Sequence, residues 1–123
     1  MEKKKRTHKD SFIDAFRGLA WAIQTQPNLR IHIILSLAVI LSGAYFQLTT
    51  VEMAIVLVMI VLGLSGEMIN TALESMTDLI TTEYRTEAKI AKDVAAAMML
   101  TIASGAIIVA AWIFIPHIIQ TFF

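Results

Sequence analysis

The stretch from Val51 to Gly66 is apolar apart from Glu52 and Ser65, and it passes without a breaker into Glu67-Met68-Ile69-Asn70-Thr71-Ala72-Leu73-Glu74-Ser75-Met76-Thr77-Asp78. A continuous helix from 51 to about 81 would be about 45 Å long at 1.5 Å per residue. That exceeds a hydrocarbon core of ~30 Å, so one end must reach the headgroups or the water beyond. Glu67, Asn70, Glu74 and Asp78 are spaced three, four and four apart. At about 100° per residue they share an arc of about 80°. Three carboxylates and an amide therefore form one stripe on a helix whose other half belongs in lipid. Ionisable groups at that depth are costly unless partnered, which makes them candidates for a functional site. A helix merely leaving the membrane would also carry charge, but would need no stripe this narrow.

The rest of the chain fits the same setting. Its hydrophobic fraction is 57% and its charged fraction 16%, a balance that points to a membrane protein rather than a soluble domain. There is no cysteine, so disulfides and thiolate metal sites are excluded. The length suits one domain, 1–123. The basic run Lys3–Arg6 has no interleaved aromatics, which argues against nucleic acid as a partner; such a run suits anionic headgroups instead. No cleavable signal pattern is expected, because the first apolar run begins late.

The periodicity predicts four helices in an all-α integral membrane fold. Residues 1–10 form a basic tail. Over 11–25, Phe12, Ile13, Phe16, Leu19, Ala20 and Ile23 gather on one side and Asp14, Arg17 and Gln24 on the other. That is the pattern of an amphipathic helix lying in the membrane interface. Gln26-Pro27-Asn28 should break or kink it. Spanning helices are expected over 31–48, 51–80 and 94–115, with 81–93 as a polar connector. Trp112 and Pro116-His117 should mark the far interface. Glu52 is expected to be solvated there, and His32 to be an interfacial or packing residue.

All ten Lys and Arg fall before the first span or between the second and third. The positive-inside rule then puts the N-terminus, the carboxylate stripe and the connector in the cytoplasm, and the C-terminus outside.

Lys92 and Asp93 open the third span and would come near the end of the stripe if the helices form a hairpin. A cation for phosphate oxygens, a carboxylate for a hard divalent metal and a spare carboxylate are the parts that phosphoryl transfer needs, since that chemistry is mostly positioning and charge neutralisation. Glu74 suits Mg²⁺, which takes one or two carboxylates together with substrate phosphates. Glu67 lies deeper. Burial beside apolar side chains disfavours charge on a carboxylate and strengthens it as a general base. There is no Walker or Gly-rich kinase loop. A small channel or transporter subunit, with the stripe lining an ion path, is the alternative of another class. Asp78 suits either a catalytic role or a pairing with a basic residue of a neighbouring subunit.

Two motifs take the reading further. E-x-x-N-T-A-L-E-x-x-x-D at Glu67–Asp78 and A-K-x-A-K-D-x-A-A at 88–96 resemble the small prokaryotic diacylglycerol kinase family, which includes the undecaprenol kinases of Gram-positive bacteria. The likeness extends to S-F-x-x-A-x-x-G at 11–18, to Asn28-Leu29-Arg30-Ile31-His32 and to Glu83-Tyr84. It implies a homotrimer with three transmembrane helices and one surface helix per subunit, in the bacterial plasma membrane, with active sites between subunits near the cytoplasmic face. It implies transfer of the γ-phosphate of ATP, with Mg²⁺, to a lipid alcohol. Undecaprenol is the expected acceptor and diacylglycerol the close alternative.

By the same resemblance Glu67 matches the catalytic base. Asn70, Glu74, Lys92 and Asp93 match nucleotide and metal contacts, and Glu83-Tyr84-Arg85 a segment beside the nucleotide. Arg85 stands where His is commoner. Gln26 stands where the family usually has a second metal-binding glutamate; as a metal ligand its amide offers an oxygen but no charge, which implies weaker Mg²⁺ binding, an adjusted site, or a specialised, inactivated or engineered member.

Overall fold

The computed structural model describes residues 7–123, so the basic run Lys3–Arg6 lies outside the described residues. Four helices follow one another: α1 (His8–Thr25), α2 (Pro27–Tyr45), α3 (Thr50–Ile80) and α4 (Thr86–Phe122). The last three are each long and apolar enough to cross a membrane. The chain is thus an all-α membrane protein with one short leading helix.

Each start has a local cause. Thr7 caps α1, its Oγ1 accepting from the Asp10 N–H while the Asp10 carboxylate accepts from the Thr7 N–H. Thr49 and Glu52 form the same reciprocal box at the start of α3. Both satisfy orphan N–H groups of a first turn. Pro27 does not merely break α1; it occupies the first turn of α2, where a missing N–H costs nothing. The break is confined to Gln26. The turn after α2 depends on Gln47, whose φ of 53° is left-handed. It lets Leu48 N–H reach the Gly43 carbonyl at 3.0 Å, closing the helix end.

α1 begins three residues earlier than expected and α2 runs over 27–45 rather than 31–48, while the largest differences are at the two ends of α4. The connector is 81–85 rather than 81–93, because helix α4 already begins at Thr86. Ala88, Lys89, Ala91 and Lys92 are good helix formers. Glu87 sits in the first turn, and Lys89 pairs with Asp93 one turn on, so helix wins over the polarity of the segment. At the other end Pro116 lies inside α4, which continues to Phe122. A proline that close to the end sacrifices one backbone bond without ending a helix that neighbours support.

α3 is the central helix, with α2 and α4 packed along it and α1 resting lightly on the start of α2. Gly66 permits the α3–α4 approach: a Cβ there would lie 2.6 Å from Ile102 Cδ1 and 3.1 Å from Met99 Sδ. Gly43 does the same for α2, where a Cβ would meet Met53 Cε at 2.7 Å. At the far end Glu52 is not simply solvated. Its Oε1 lies 3.1 Å from His117 Nε2, tying the start of α3 to the last turns of α4. Most large apolar side chains of α2–α4, among them Ile34, Val61, Leu100 and Ile107, remain exposed. One copy of the chain thus offers its apolar surface to lipid or to other copies.

Candidate active site

The stripe on α3 is graded in depth. Glu67 is 5% exposed, Asn70 and Thr71 are each 8% exposed, and Glu74 and Asp78 are on the surface. Burial comes from the small residues that let α4 lie close against α3 at Gly66. Asn70 Nδ2 donates to Glu74 Oε1 at 3.1 Å, the i,i+4 pairing that a shared helix face allows. Its Oδ1 is buried and accepts nothing among the described residues. Buried polar atoms are normally satisfied, and this oxygen stays open to a donor beyond the described residues.

Glu67 opens into a recess whose other walls are Asn28, Ile31 and His32 of α2 and Met99, Leu100 and Ala103 of α4. Asn28 and His32 are not among the site residues expected from the sequence, where His32 is expected only as an interfacial or packing residue. Their separation of four places them on one face of α2, and that pairing is the signal which could have found them. Among the described residues no lysine or arginine lines this recess. The carboxylate thus sits among apolar side chains together with Asn28 and His32.

The charged residues gather further along. A cleft of about 460 Å³ is lined by Asp78, Glu83, Tyr84, Arg85, Lys89, Lys92 and Asp93, with threonines from the end of α3. The five-residue turn is what brings these together, because it folds the start of α4 back beside the end of α3. Lys92 Nζ donates to Asp78 Oδ1 at 2.5 Å, so Asp78 finds its basic partner within the same chain. Lys89 pairs with Asp93, and Arg85 with Glu83 at 3.6 Å. Each lysine is thereby held with its charge already matched, in a cleft open to solvent. Such pairs are worth little individually and can be exchanged for phosphate oxygens at small cost.

The sequence-derived site is therefore two places in one chain. Glu67 and Asp78 are eleven residues apart on α3, about 16 Å at 1.5 Å per residue. Asn70 and Glu74 lie between. Gln26 forms the junction of α1 and α2, half-buried, its Nε2 donating to Thr25 Oγ1 at 3.3 Å. Among the described residues no three acidic or histidine side chains converge as a ready cation cage. A Mg²⁺ held by Glu74 fits this donor set, since Mg²⁺ needs only one or two protein carboxylates when phosphates and waters complete its shell.

Comparison with known proteins bears on this geometry. The family model for prokaryotic diacylglycerol kinase matches residues 14–114, which takes in the Glu67 recess and the charged cleft. The chain is 37% identical over 111 residues to a protein of Synechocystis sp. named diacylglycerol kinase, covering 89% of this chain and 63% of that protein. It is 34% identical over 108 residues to the undecaprenol kinase of Bacillus subtilis, covering 88% of both. The chain thus spans less than two thirds of the first relative and most of the second.

Proposed function

This chain belongs to the prokaryotic diacylglycerol kinase family, and on that premise we propose that it moves the γ-phosphate of ATP onto the hydroxyl of a membrane lipid alcohol, undecaprenol rather than diacylglycerol. The observation that carries the reading is the division of labour along α3. A buried carboxylate, Glu67, faces an uncharged recess at membrane depth, while a solvent-open cleft carries Lys92, Asp93 and the Glu83-Tyr84-Arg85 turn. A lipid alcohol reaches the first from the bilayer, and a nucleotide reaches the second from water.

Glu67 takes the proton of the acceptor hydroxyl, a task suited to a carboxylate that faces a recess at membrane depth. Asn70 bridges the two places: it holds Glu74 through Nδ2 and keeps Oδ1 for a donor. Lys92 trades Asp78 for phosphate oxygens, and Arg85 and Tyr84 border the nucleotide. Glu74, assisted by Gln26, would hold Mg²⁺, which when bound neutralises phosphate charge and orients the transferred group.

By the same family likeness the sites are completed between copies, in a homotrimer. The positive-inside rule puts the cleft on the cytoplasmic side.

The test is transfer of label from γ-labelled ATP by the purified chain to undecaprenol and diacylglycerol, with and without Mg²⁺. Label in undecaprenol that depends on Mg²⁺ supports the assignment. Label in neither lipid would remove it.

A further inference from the structure

Helices α3 and α4 are tied by an acid–base pair at each end. At the charged cleft, Lys92 Nζ donates to Asp78 Oδ1 at 2.5 Å. At the far end, His117 Nε2 lies 3.1 Å from Glu52 Oε1. In both pairs the acid belongs to α3 and the basic group to α4. Glu52 and Asp78 are twenty-six residues apart on α3, and Lys92 and His117 twenty-five apart on α4. At 1.5 Å per residue those spans are about 39 and 38 Å. The two ties therefore agree on one axial register for the whole helix pair.

The far tie has no rival. Glu52 is the one charged side chain between residues 33 and 66, and His117 the one titratable side chain between 94 and 123. Both are half-buried. The second oxygen of Glu52 accepts from the Thr49 N–H and hydroxyl at 2.8 and 2.7 Å, so the oxygen offered to His117 is already held in place. Pro116, just before His117, lies inside α4 and deprives it of a backbone bond. The last turns of α4 then depend on their neighbours. Phe46 meets Phe114 and Phe122 edge-on, with ring centroids 6.1 and 6.4 Å away, and His117 meets Glu52.

Between the ties the contact is apolar, as where Met99 and Ile102 close over Gly66. In lipid such packing gains no hydrophobic drive, so the directional bonds at the ends weigh more in setting the register. The two ties differ in service. Lys92 trades Asp78 for phosphate oxygens, so the near tie opens when nucleotide enters the cleft. The far tie lies about 39 Å along α3 and is untouched by that exchange.

We propose that Glu52 and His117 are positioning residues: their tie holds α4 in register against α3 while the near tie is open, and so keeps Lys92 and Asp93 aligned with Glu67 and Glu74 during transfer. The catalytic half of this rests on the reading that Lys92 takes phosphate oxygens; the two-ended register does not.

The experiment uses the full chain, in detergent for thermal midpoints and in lipid vesicles for kinetics, as wild type, Asp78→Asn, His117→Leu and the double variant. With two ties in parallel, either loss alone should lower the midpoint little. The double variant should fall roughly 4–8 °C further than the two single effects together, because only then are the helices free to slide. With labelled ATP, His117→Leu should lower kcat ~10-fold or more and leave KM for ATP within about twofold of wild type. His117→Lys, which restores a cation for Glu52, should recover most of kcat. Glu52→Gln repeats the test should His117→Leu misassemble, since glutamine at that position still completes the cap of α3.

Additive midpoints would overturn the proposal. So would a rise in KM for ATP with kcat unchanged, or a His117→Lys variant as slow as His117→Leu. If wild type phosphorylates no lipid while the midpoints are non-additive, the two-ended register stands and the kinase reading fails.

Discussion

Asn70 gives its Nδ2 to Glu74 Oε1 at 3.1 Å and keeps a buried Oδ1 without a donor among the described residues. The bond to Glu74 fixes which way the amide faces, so the unpaired oxygen is held toward the interior of the helix packing. An unsatisfied buried acceptor costs about 1–3 kcal/mol. A protein under no functional demand would be more stable with an apolar residue there. Asn70→Leu should therefore leave the thermal midpoint in detergent unchanged or higher, while phosphorylation falls ~10–100-fold. A lowered midpoint with intact turnover would contradict this account.

Glu67→Gln keeps the shape of the side chain and removes the proton acceptor. Labelling of lipid should fall by ~10²–10⁴-fold, and the fold should hold, because a neutral amide is easier to bury than a carboxylate. Circular dichroism and the labelling assay on one preparation separate the two effects.

Lys92 and Asp78 form an exposed pair, worth ~0–1 kcal/mol. Lys92→Ala should barely move the midpoint but raise KM for ATP ~10-fold, through loss of a charge-assisted phosphate contact. Asp78→Asn releases the lysine from its partner and should lower KM for ATP. If Asp78→Asn instead abolishes turnover as Glu67→Gln does, Asp78 takes part in the reaction itself.

Gln26→Glu adds a charge at the junction of α1 and α2. If Gln26 shares the metal with Glu74, the Mg²⁺ concentration giving half-maximal activity should fall, as added ligand charge raises affinity for a hard cation. An unchanged Mg²⁺ titration would place residue 26 outside the metal shell.

The capping carboxylate of Asp10 gives α1 a pH dependence. Hydrogen bonds from the Thr7 hydroxyl and backbone hold its pKa below the ordinary 3.8. A depressed carboxylate contributes stability above its unfolded value and loses it as pH falls through the folded one. Amide exchange in the first turn of α1, taken relative to its intrinsic rate, should thus rise below about pH 4, and the rise should vanish in Asp10→Asn. Exchange that rises equally in Asp10→Asn would assign the effect to other groups.

Four helices, their order and their membrane character could be read from periodicity and from the lengths of the apolar runs. So could the stripe from Glu67 to Asp78, because residues three and four apart must share a helix face whatever surrounds them. The ends were less legible. Thr86–Asp93 reads as polar loop by composition, yet a Lys89–Asp93 pair and good helix formers make it the first turns of α4.

Only the tertiary structure decided which partners those residues meet. The tie of Glu52 to His117, the placement of His32 and Asn28 beside Glu67, and the closing of Asp78 on Lys92 all join separate helices. No local spacing encodes such meetings; they follow from how closely glycines let α2, α3 and α4 approach. The sequence therefore determined a buried acid on a membrane helix and a charged turn beyond it. Packing alone brought Asn28, His32 and Lys92 up to them and opened a hydrocarbon-lined cavity behind the acid.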